Sequence, residues 1–314
     1  MRPYFSIIIP LYNKELYIKN TLNSVLNQTF QDFEIIVIND GSTDNSLEIA
    51  QKTLSNFNNA TFINQKNKGL SIARNKGIAN SKGLIIALLD ADDIWNQKYL
   101  ETIYQLAKNH PEAALFGTDF LEFYSPQNIV LSPKKIASNL KNKLFIIDSF
   151  FITSTGKNII APSSFCFRKK ITSSILFDGS ITYGEDIDFY IKANLKHTFA
   201  YAYNPLVTIL CDVPNQMTKI GLSGKNLPDL DFYELRNSEN LSLIKYLDFI
   251  RYTYANQYRE SKNKLKTNEL ISKINFKNLT FQQKILLKSP YWIFILIKKI
   301  KKILFNNKLN ITSY

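Results

Sequence analysis

Residues 84–95 read LIIALLDADDIW. Six consecutive apolar residues, Leu84 to Leu89, are what a strand covered on both faces looks like. Asp90, Asp92 and Asp93 then follow within four positions. Carboxylates crowded this closely repel one another, raise one another's pKa and destabilise the strand end unless something positive sits among them. A bound hard cation, Mg²⁺ or Mn²⁺, is the economical answer, because such an ion takes few protein carboxylates and completes its shell with water and phosphate oxygens.

Upstream of this stretch, apolar runs alternate with helical periodicities, the pattern of an α/β fold with a parallel sheet flanked by helices. FSIIIPLY, FEIIVIND and ATFINQ read as the first three strands and LIIALLDADD as the fourth. Between them lie helices: KELYIKNTLNSVLNQT, then STDNSLEIAQKTLSN with Ser42, Thr43 or Asp44 as caps, then SIARNKGIANS with Ser71 as cap. A further helix is expected from about Gln97 to Asn109. Beyond Glu112 the pattern loosens. AALFGTDF, SSFCFRKK and TFAYAYNPLVTIL read as strands, and EDIDFYIKANLK as a short helix.

In open α/β sheets, ligands bind outside the carboxyl ends of the strands, and three of these strand ends carry polar residues: PLYN, NDGSTD and DADD. Asp40 serves equally as an ordinary turn residue or as an acceptor for a ligand at the sheet edge. Arg74, one turn into its helix, is either a solvated charge or a partner for an anion at a helix start. Glu185, Asp186 and Asp188 open a helix, where acids favour the dipole. If that helix start faces the strand ends, one of its carboxylates is placed to act as a general base.

The chain of 314 residues carries a formal charge of +13. Residues 236–314 hold +12 of it, leaving +1 for residues 1–235, so a nearly neutral body is expected with a basic, mainly helical C-terminal region. Two cysteines (Cys166, Cys211) and two histidines (His110, His197) cannot build a zinc site of usual spacing and read as structural thiols of a reducing cytoplasm. No apolar leader core precedes Pro10, and the longest C-terminal apolar run, Tyr291–Ile297, is far shorter than the roughly 20 residues of a membrane span.

As a set, residues 7–46, NKGLSIARNKGIANSKG (67–83), ALLDADDIW (87–95) and YGEDIDFY (183–190) resemble the inverting nucleotide-sugar glycosyltransferases of family 2, which have the GT-A fold. The resemblance covers residues 4–205, with four motifs in family order. It implies a Rossmann-like, mostly parallel sheet and a UDP-sugar donor. Asp40 would read the uracil, with Tyr12 near the base and Arg74 near the nucleotide, and Pro10 would be a further nucleotide-binding residue. Asp90 and Asp92 match the D-x-D acids that contact the ribose and the metal, Mn²⁺ or Mg²⁺, with Asp92 as direct ligand. Asp186, with Glu185 beside it, matches the acid that deprotonates the acceptor hydroxyl. This chain has Asn39 and Asp40 where the family often has paired aspartates, and it lacks the Q-x-x-R-W signature of processive synthases. Non-processive transfer to a saccharide or lipid-linked saccharide is the expectation, in surface polysaccharide or lipopolysaccharide-type glycan synthesis.

Acceptor contacts are expected between Phe120 and Lys170 and beyond Leu210, with CDVPNQMTKIGLSG (211–224) as either a loop over the donor or a plain surface loop. In SPYWIFILIKKIKKILF, Ile293, Leu296, Ile297, Ile300 and Leu304 fall at helical spacing, with Lys298, Lys301 and Lys302 on another side and Trp292 and Phe294 as aromatic anchors. That segment, 290–305, is expected either to pack on the catalytic domain or to lie on an anionic membrane, which would place the protein on the cytoplasmic face of the inner membrane. Two rival readings stay in view, a nucleotide-binding scaffold and a basic nucleic-acid-binding protein. The second is disfavoured, and no nucleic-acid partner is expected, because the basic residues are mixed with long apolar runs and form no known motif.

Overall fold

The computed structural model describes residues 2–125, 128–131, 134–213 and 221–306, without the side chains of Lys302 and Phe305. The first third alternates as its sequence pattern predicts: β1 (Phe5–Leu11), α1 (Ile18–Leu26), β2 (Phe33–Asp40), α2 (Ser46–Thr53), β3 (Ala60–Gln65), α3 (Leu70–Asn80), β4 (Ile85–Leu88), β5 (Ile94–Trp95) and α4 (Tyr99–Asn109). β1 pairs in parallel with both β2 and β4, and β2 with β3. The later strands are β6 (Leu115–Ser125), β7 (Asn128–Val130), β8 (Leu144–Ile146), β9 (Phe165–Arg168) and β10 (Phe199–Leu210). β9 runs antiparallel between β4 and β6, and β10 runs parallel to β6, giving the order β3-β2-β1-β4-β9-β6-β10-β5.

Continuous apolar strands need cover on both faces, and both are covered. On one side Phe5, Ile7, Ile9 and Ile85 meet Leu22 of α1 and Leu100 and Ile103 of α4. On the other, Ile8, Ile86 and Leu88 join Ile78 of α3 and a large aromatic cluster from α5 (Phe150–Thr153), α6 (Glu185–Asn194) and β9. The C-terminal region contributes α7 (Leu230–Arg236), α8 (Leu241–Glu260), α9 (Lys264–Ser272), α10 (Phe281–Lys288) and α11 (Tyr291–Asn306). The boundary expected at residue 235 falls inside α7, and Leu243, Tyr246 and Leu247 of α8 belong to the same apolar cluster as α6.

Three local expectations are corrected. Leu84 lies outside β4 and is 45% exposed, so the buried run is one residue shorter than its hydrophobicity suggests. The position before α2 is Asn45, not Ser42 or Thr43, although Asp44 Oδ1 accepts from the first helical amide, that of Ser46, at 3.0 Å; before α3 it is Gly69, not Ser71. Gly69 takes φ of 90°, a conformation that a side chain disfavours, and Ser71 is buried inside the helix. Both cysteines are free thiols. Among the described residues no helix is long and apolar enough to cross a membrane.

Candidate active site

The strand ends and the start of α6 converge on one cleft of about 430 Å³, a size suited to a small-molecule ligand. Pro10, Tyr12, Arg74, Asp90, Asp92, Glu185 and Asp186 all line it, so seven of the eight residues singled out in the sequence meet at one place. They are brought there by β1, α3, the turn after β4 and the first turn of α6.

Arg74 is the centre of the charge arrangement. Its guanidinium is buried, donating from Nη2 to Asp90 Oδ1 and from Nη1 to Glu185 Oε1, each at 2.9 Å. These two carboxylates hold its pKa above the ordinary value although burial works the other way. It therefore ties the D-x-D turn to α6, while its Nε has no partner among the described residues.

The crowding of Asp90, Asp92 and Asp93 is resolved by the chain's own groups. Arg74 takes Asp90, and Lys14 Nζ lies 2.6 Å from Asp92 Oδ2. Asp93 points elsewhere: its carboxylate accepts from Ser163 Oγ at 2.6 Å and from the Leu210 amide at 3.1 Å. Burial, reinforced by Asp92 and Asp90, pushes the Asp93 carboxyl well above the carboxylate range. Burial also raises Asp92, against the pull of Lys14.

Lys14 escaped the sequence reading because its position depends on two loops far apart in the chain. Asn13 adopts φ of 51°, and its side-chain oxygen accepts from the Thr43 amide at 2.8 Å. The Lys14 amide donates to Ser46 Oγ at 2.6 Å, and the Glu15 amide to Asp44 Oδ2 at 3.1 Å. The STDNS segment thus laces the YNKE loop in place as well as opening α2. The signal available was the polar density of both segments.

Asp40 is the residue that stands apart. It is buried, with Oδ1 accepting from Gln65 Nε2 at 2.7 Å and the Lys68 amide at 2.8 Å, and Oδ2 from the Gly69 amide at 2.9 Å. It pins the loop before α3. Asn39 is likewise engaged, donating to Asn64 Oδ1 at 3.0 Å.

Asp186, half-buried in the cleft, has its pKa raised to about 7, first by burial and next by the negative Glu185 at its side, with Arg74 opposing. Such a carboxylate exchanges protons near neutrality, which a general base requires. Asp188, by contrast, turns inward to the Tyr233 hydroxyl and to Lys192.

A second cleft, about 460 Å³, lies among α7, α8 and α9. Its Asp231, Arg251, Lys266, Glu269 and Lys273 pair with one another, so it offers no comparable set of poised groups.

The sequence pattern of "Glycosyl transferase family 2" matches residues 6–176, more than half of the chain. The chain belongs to glycosyl transferase family 2. It is therefore a glycosyltransferase, and its sheet and flanking helices are those of the GT-A fold. The uncharacterized glycosyltransferase EpsJ of Bacillus subtilis is 29% identical over 70% of this chain and 64% of its own length. The minor teichoic acid biosynthesis protein GgaA of the same organism is 33% identical over 61% of this chain and 43% of its own. The chain thus spans less than two thirds of these relatives. A crystal structure of S. aureus TarS residues 1–349 with UDP-GlcNAc shares the fold at 19% identity and TM-score 0.60, over 95% of this chain and 81% of that one.

Residues 214–220 of the expected 211–224 loop lie outside the described residues.

Proposed function

We propose that this family 2 glycosyltransferase moves one sugar at a time from a nucleotide-sugar, a UDP-hexose or UDP-N-acetylhexosamine, to a hydroxyl of a saccharide or lipid-linked saccharide acceptor, with inversion, in surface polysaccharide or lipopolysaccharide-type glycan synthesis. The observation that carries this reading is the placement of two acid sets on one cleft: Asp90 and Asp92 at the strand end, and Asp186 at the start of α6. A neighbouring fold crystallised with UDP-GlcNAc supports the donor class. A working place in the cytoplasm, peripheral to the inner membrane, follows from a lipid-linked acceptor and belongs to the same proposal.

In this reading the ionised Asp186 takes the proton of the acceptor hydroxyl as its oxygen attacks the anomeric carbon, and the bond from that carbon to the diphosphate breaks on the opposite side. Glu185, held by Arg74, keeps the neighbouring negative charge that makes Asp186 basic. Arg74 fixes Asp90 and Glu185 as a positioning residue. Tyr12 and Pro10 border the base and ribose end, and Asp40 shapes it by holding the loop at 65–69.

Asp90 and Asp92 suit Mn²⁺ or Mg²⁺: their hard carboxylate oxygens border the cleft, while Asp93, which also lines it, has its carboxylate engaged by Ser163 and the Leu210 amide, so most of the coordination shell would fall to diphosphate and water. Among the described residues no group of three or more His, Cys, Asp or Glu side chains is placed to hold a metal ion by itself. When bound, the ion offsets the charge developing on the leaving diphosphate.

The test is a panel of nucleotide-sugars with Mn²⁺, scored for UDP release with and without lipid-linked and free saccharide acceptors, with the anomeric configuration of products read by NMR. Release stimulated by an acceptor, with an inverted product, is expected. Tight UDP binding without turnover of any donor would favour the scaffold reading.

A further inference from the structure

α11 is fastened on one side and bare on the other. Phe294, expected from the sequence as a lipid anchor, is instead buried, with the Arg259 guanidinium 4.5 Å from its ring centroid. Lys298 pairs with Glu260 of α8, and Arg259 donates to the Leu286 carbonyl at 2.7 Å, fixing the corner between α10 and α11. On the free side stand Trp292, Leu296, Ile300 and Ile303, exposed by 68, 49, 46 and 60%. Spacings of four, four and three residues put them on one helical face. On α10, Phe281 and Ile285 are likewise exposed and four apart. Scattered apolar residues need no explanation, but a continuous stripe does.

The charge around this stripe identifies its partner. From Leu270 to Tyr314 there are nine lysines and no Asp, Glu or Arg. Lys299 follows Trp292 by seven residues and Lys288 follows Phe281 by seven, so an exposed lysine leaves the same face of each helix as the apolar residues. A second copy of the chain would set lysine against lysine.

We propose that the free face of α11, continued by α10, is a docking surface for an anionic lipid membrane, with α11 lying in the plane of the interface. The helix has 16 residues. At about 1.5 Å per residue it is too short to span the roughly 30 Å hydrocarbon core, and the contacts of Phe294 with Arg259 and of Lys298 with Glu260 fasten it to α8. Trp292 enters the headgroup boundary with Leu296, Ile300 and Ile303, and the lysines face the anionic headgroups. This surface is independent of the sugar chemistry proposed above, since none of its residues lines the cleft.

The chain has two tryptophans, and Trp95 is buried with its indole N–H on the Ser163 carbonyl at 2.7 Å. A blue shift of emission on adding vesicles therefore reports Trp292. With the full chain and vesicles of phosphatidylcholine and phosphatidylglycerol, co-sedimentation and a blue shift are expected, both weakened by salt and both weak with phosphatidylcholine alone. The double variant Leu296→Ser, Ile300→Ser should lose at least about tenfold in partitioning, and Lys299→Gln about fivefold. Neither change touches a buried group, and unchanged circular-dichroism melting and UDP binding confirm an intact protein. The proposal is overturned if the parent shows no shift at low salt, if the double variant binds as well as the parent, or if the shift grows with protein concentration without vesicles, the sign of a second copy on this face.

Discussion

Lys14 Nζ stands 2.6 Å from Asp92 Oδ2, so a lysine from the loop after β1 holds the carboxylate proposed to receive the metal. An ammonium and a divalent cation compete for one oxygen. Lys14→Ala should therefore bind Mn²⁺ more tightly than the parent in the absence of nucleotide, by about tenfold for a partly buried charge pair worth about 1.4 kcal/mol. The same variant should bind UDP more weakly, because the displaced ammonium is free to reach the diphosphate. Unchanged or weaker Mn²⁺ binding, measured by titration against free-ion paramagnetic resonance, would remove Lys14 from this role.

At Asp186 the chemistry and the stability both depend on pH. Its carboxyl is raised to about 7 by burial and Glu185, so kcat should rise with pH through that value as the base ionises. Folding has the opposite sign. The native state holds a proton that the unfolded state has released, so this stabilising contribution is full below the ordinary aspartate range and is lost as pH rises through about 7. Asp186→Asn should lower turnover by about 10²–10⁴-fold with UDP affinity intact. It should also flatten the fall in melting temperature between about pH 4 and 7, the interval between the ordinary aspartate value and the raised one. Collapse of UDP affinity with near-normal turnover would move the base to Glu185 or Asp188.

Removing Arg74 leaves two carboxylates without their counter-ion. Arg74→Met should cost about 3 kcal/mol, at the lower end for a broken buried pair because Asp90 is partly exposed. Arg74→Lys should recover only part of this, since one ammonium cannot repeat the fork that reaches Asp90 and Glu185 together. Denaturant unfolding measures both. A loss below about 0.5 kcal/mol for Met, the scale of an ordinary surface change, would show that the pair is dispensable to the fold.

Excess chelator should abolish turnover, and Mn²⁺ or Mg²⁺ should restore it; Asp92→Asn should not be restored by either. Full activity in chelator would refute the metal reading and leave Lys14 and Arg74 as the site's cations.

The parallel half of the sheet was legible because buried strands announce themselves as unbroken apolar runs and their helices as periodic ones. FEIIVIND and ATFINQ match β2 and β3 residue for residue. The D-x-D turn was legible as an anomaly, but its resolution was not, because Lys14 and Ser163 reach Asp92 and Asp93 only through the tertiary fold. Asp40 shows the converse: a polar residue at a strand end whose carboxylate is taken up by the backbone amides of Lys68 and Gly69, across β3 from it in sequence. Past residue 112, β9 enters between β4 and β6 against the sequence order, and β10 shifts register around Pro205, neither of which periodicity can announce. On α11 the apolar spacing identified a helix but not its docked side, which Arg259 decides by taking Phe294.

Gly184, the residue before α6, sets how Glu185 and Asp186 enter the cleft. It has φ of 79°, and a methyl group there would strike the Tyr254 hydroxyl. Gly184→Ala should therefore cost about 1–3 kcal/mol for the backbone alone, with a further loss from the clash. The two parts separate experimentally. Tyr254 is fully buried and its hydroxyl has no hydrogen-bond partner among the described residues, so Tyr254→Phe on its own should change stability little. Combined with Gly184→Ala it should recover the clash but not the backbone strain. A turn that moves carries Asp186 with it, so Gly184→Ala should also lower kcat while leaving the Asp186→Asn background no worse. If Gly184→Ala melts like the parent and turns over normally, the left-handed turn is not what aims these acids, and the ion pairs of Arg74 alone hold α6 in place.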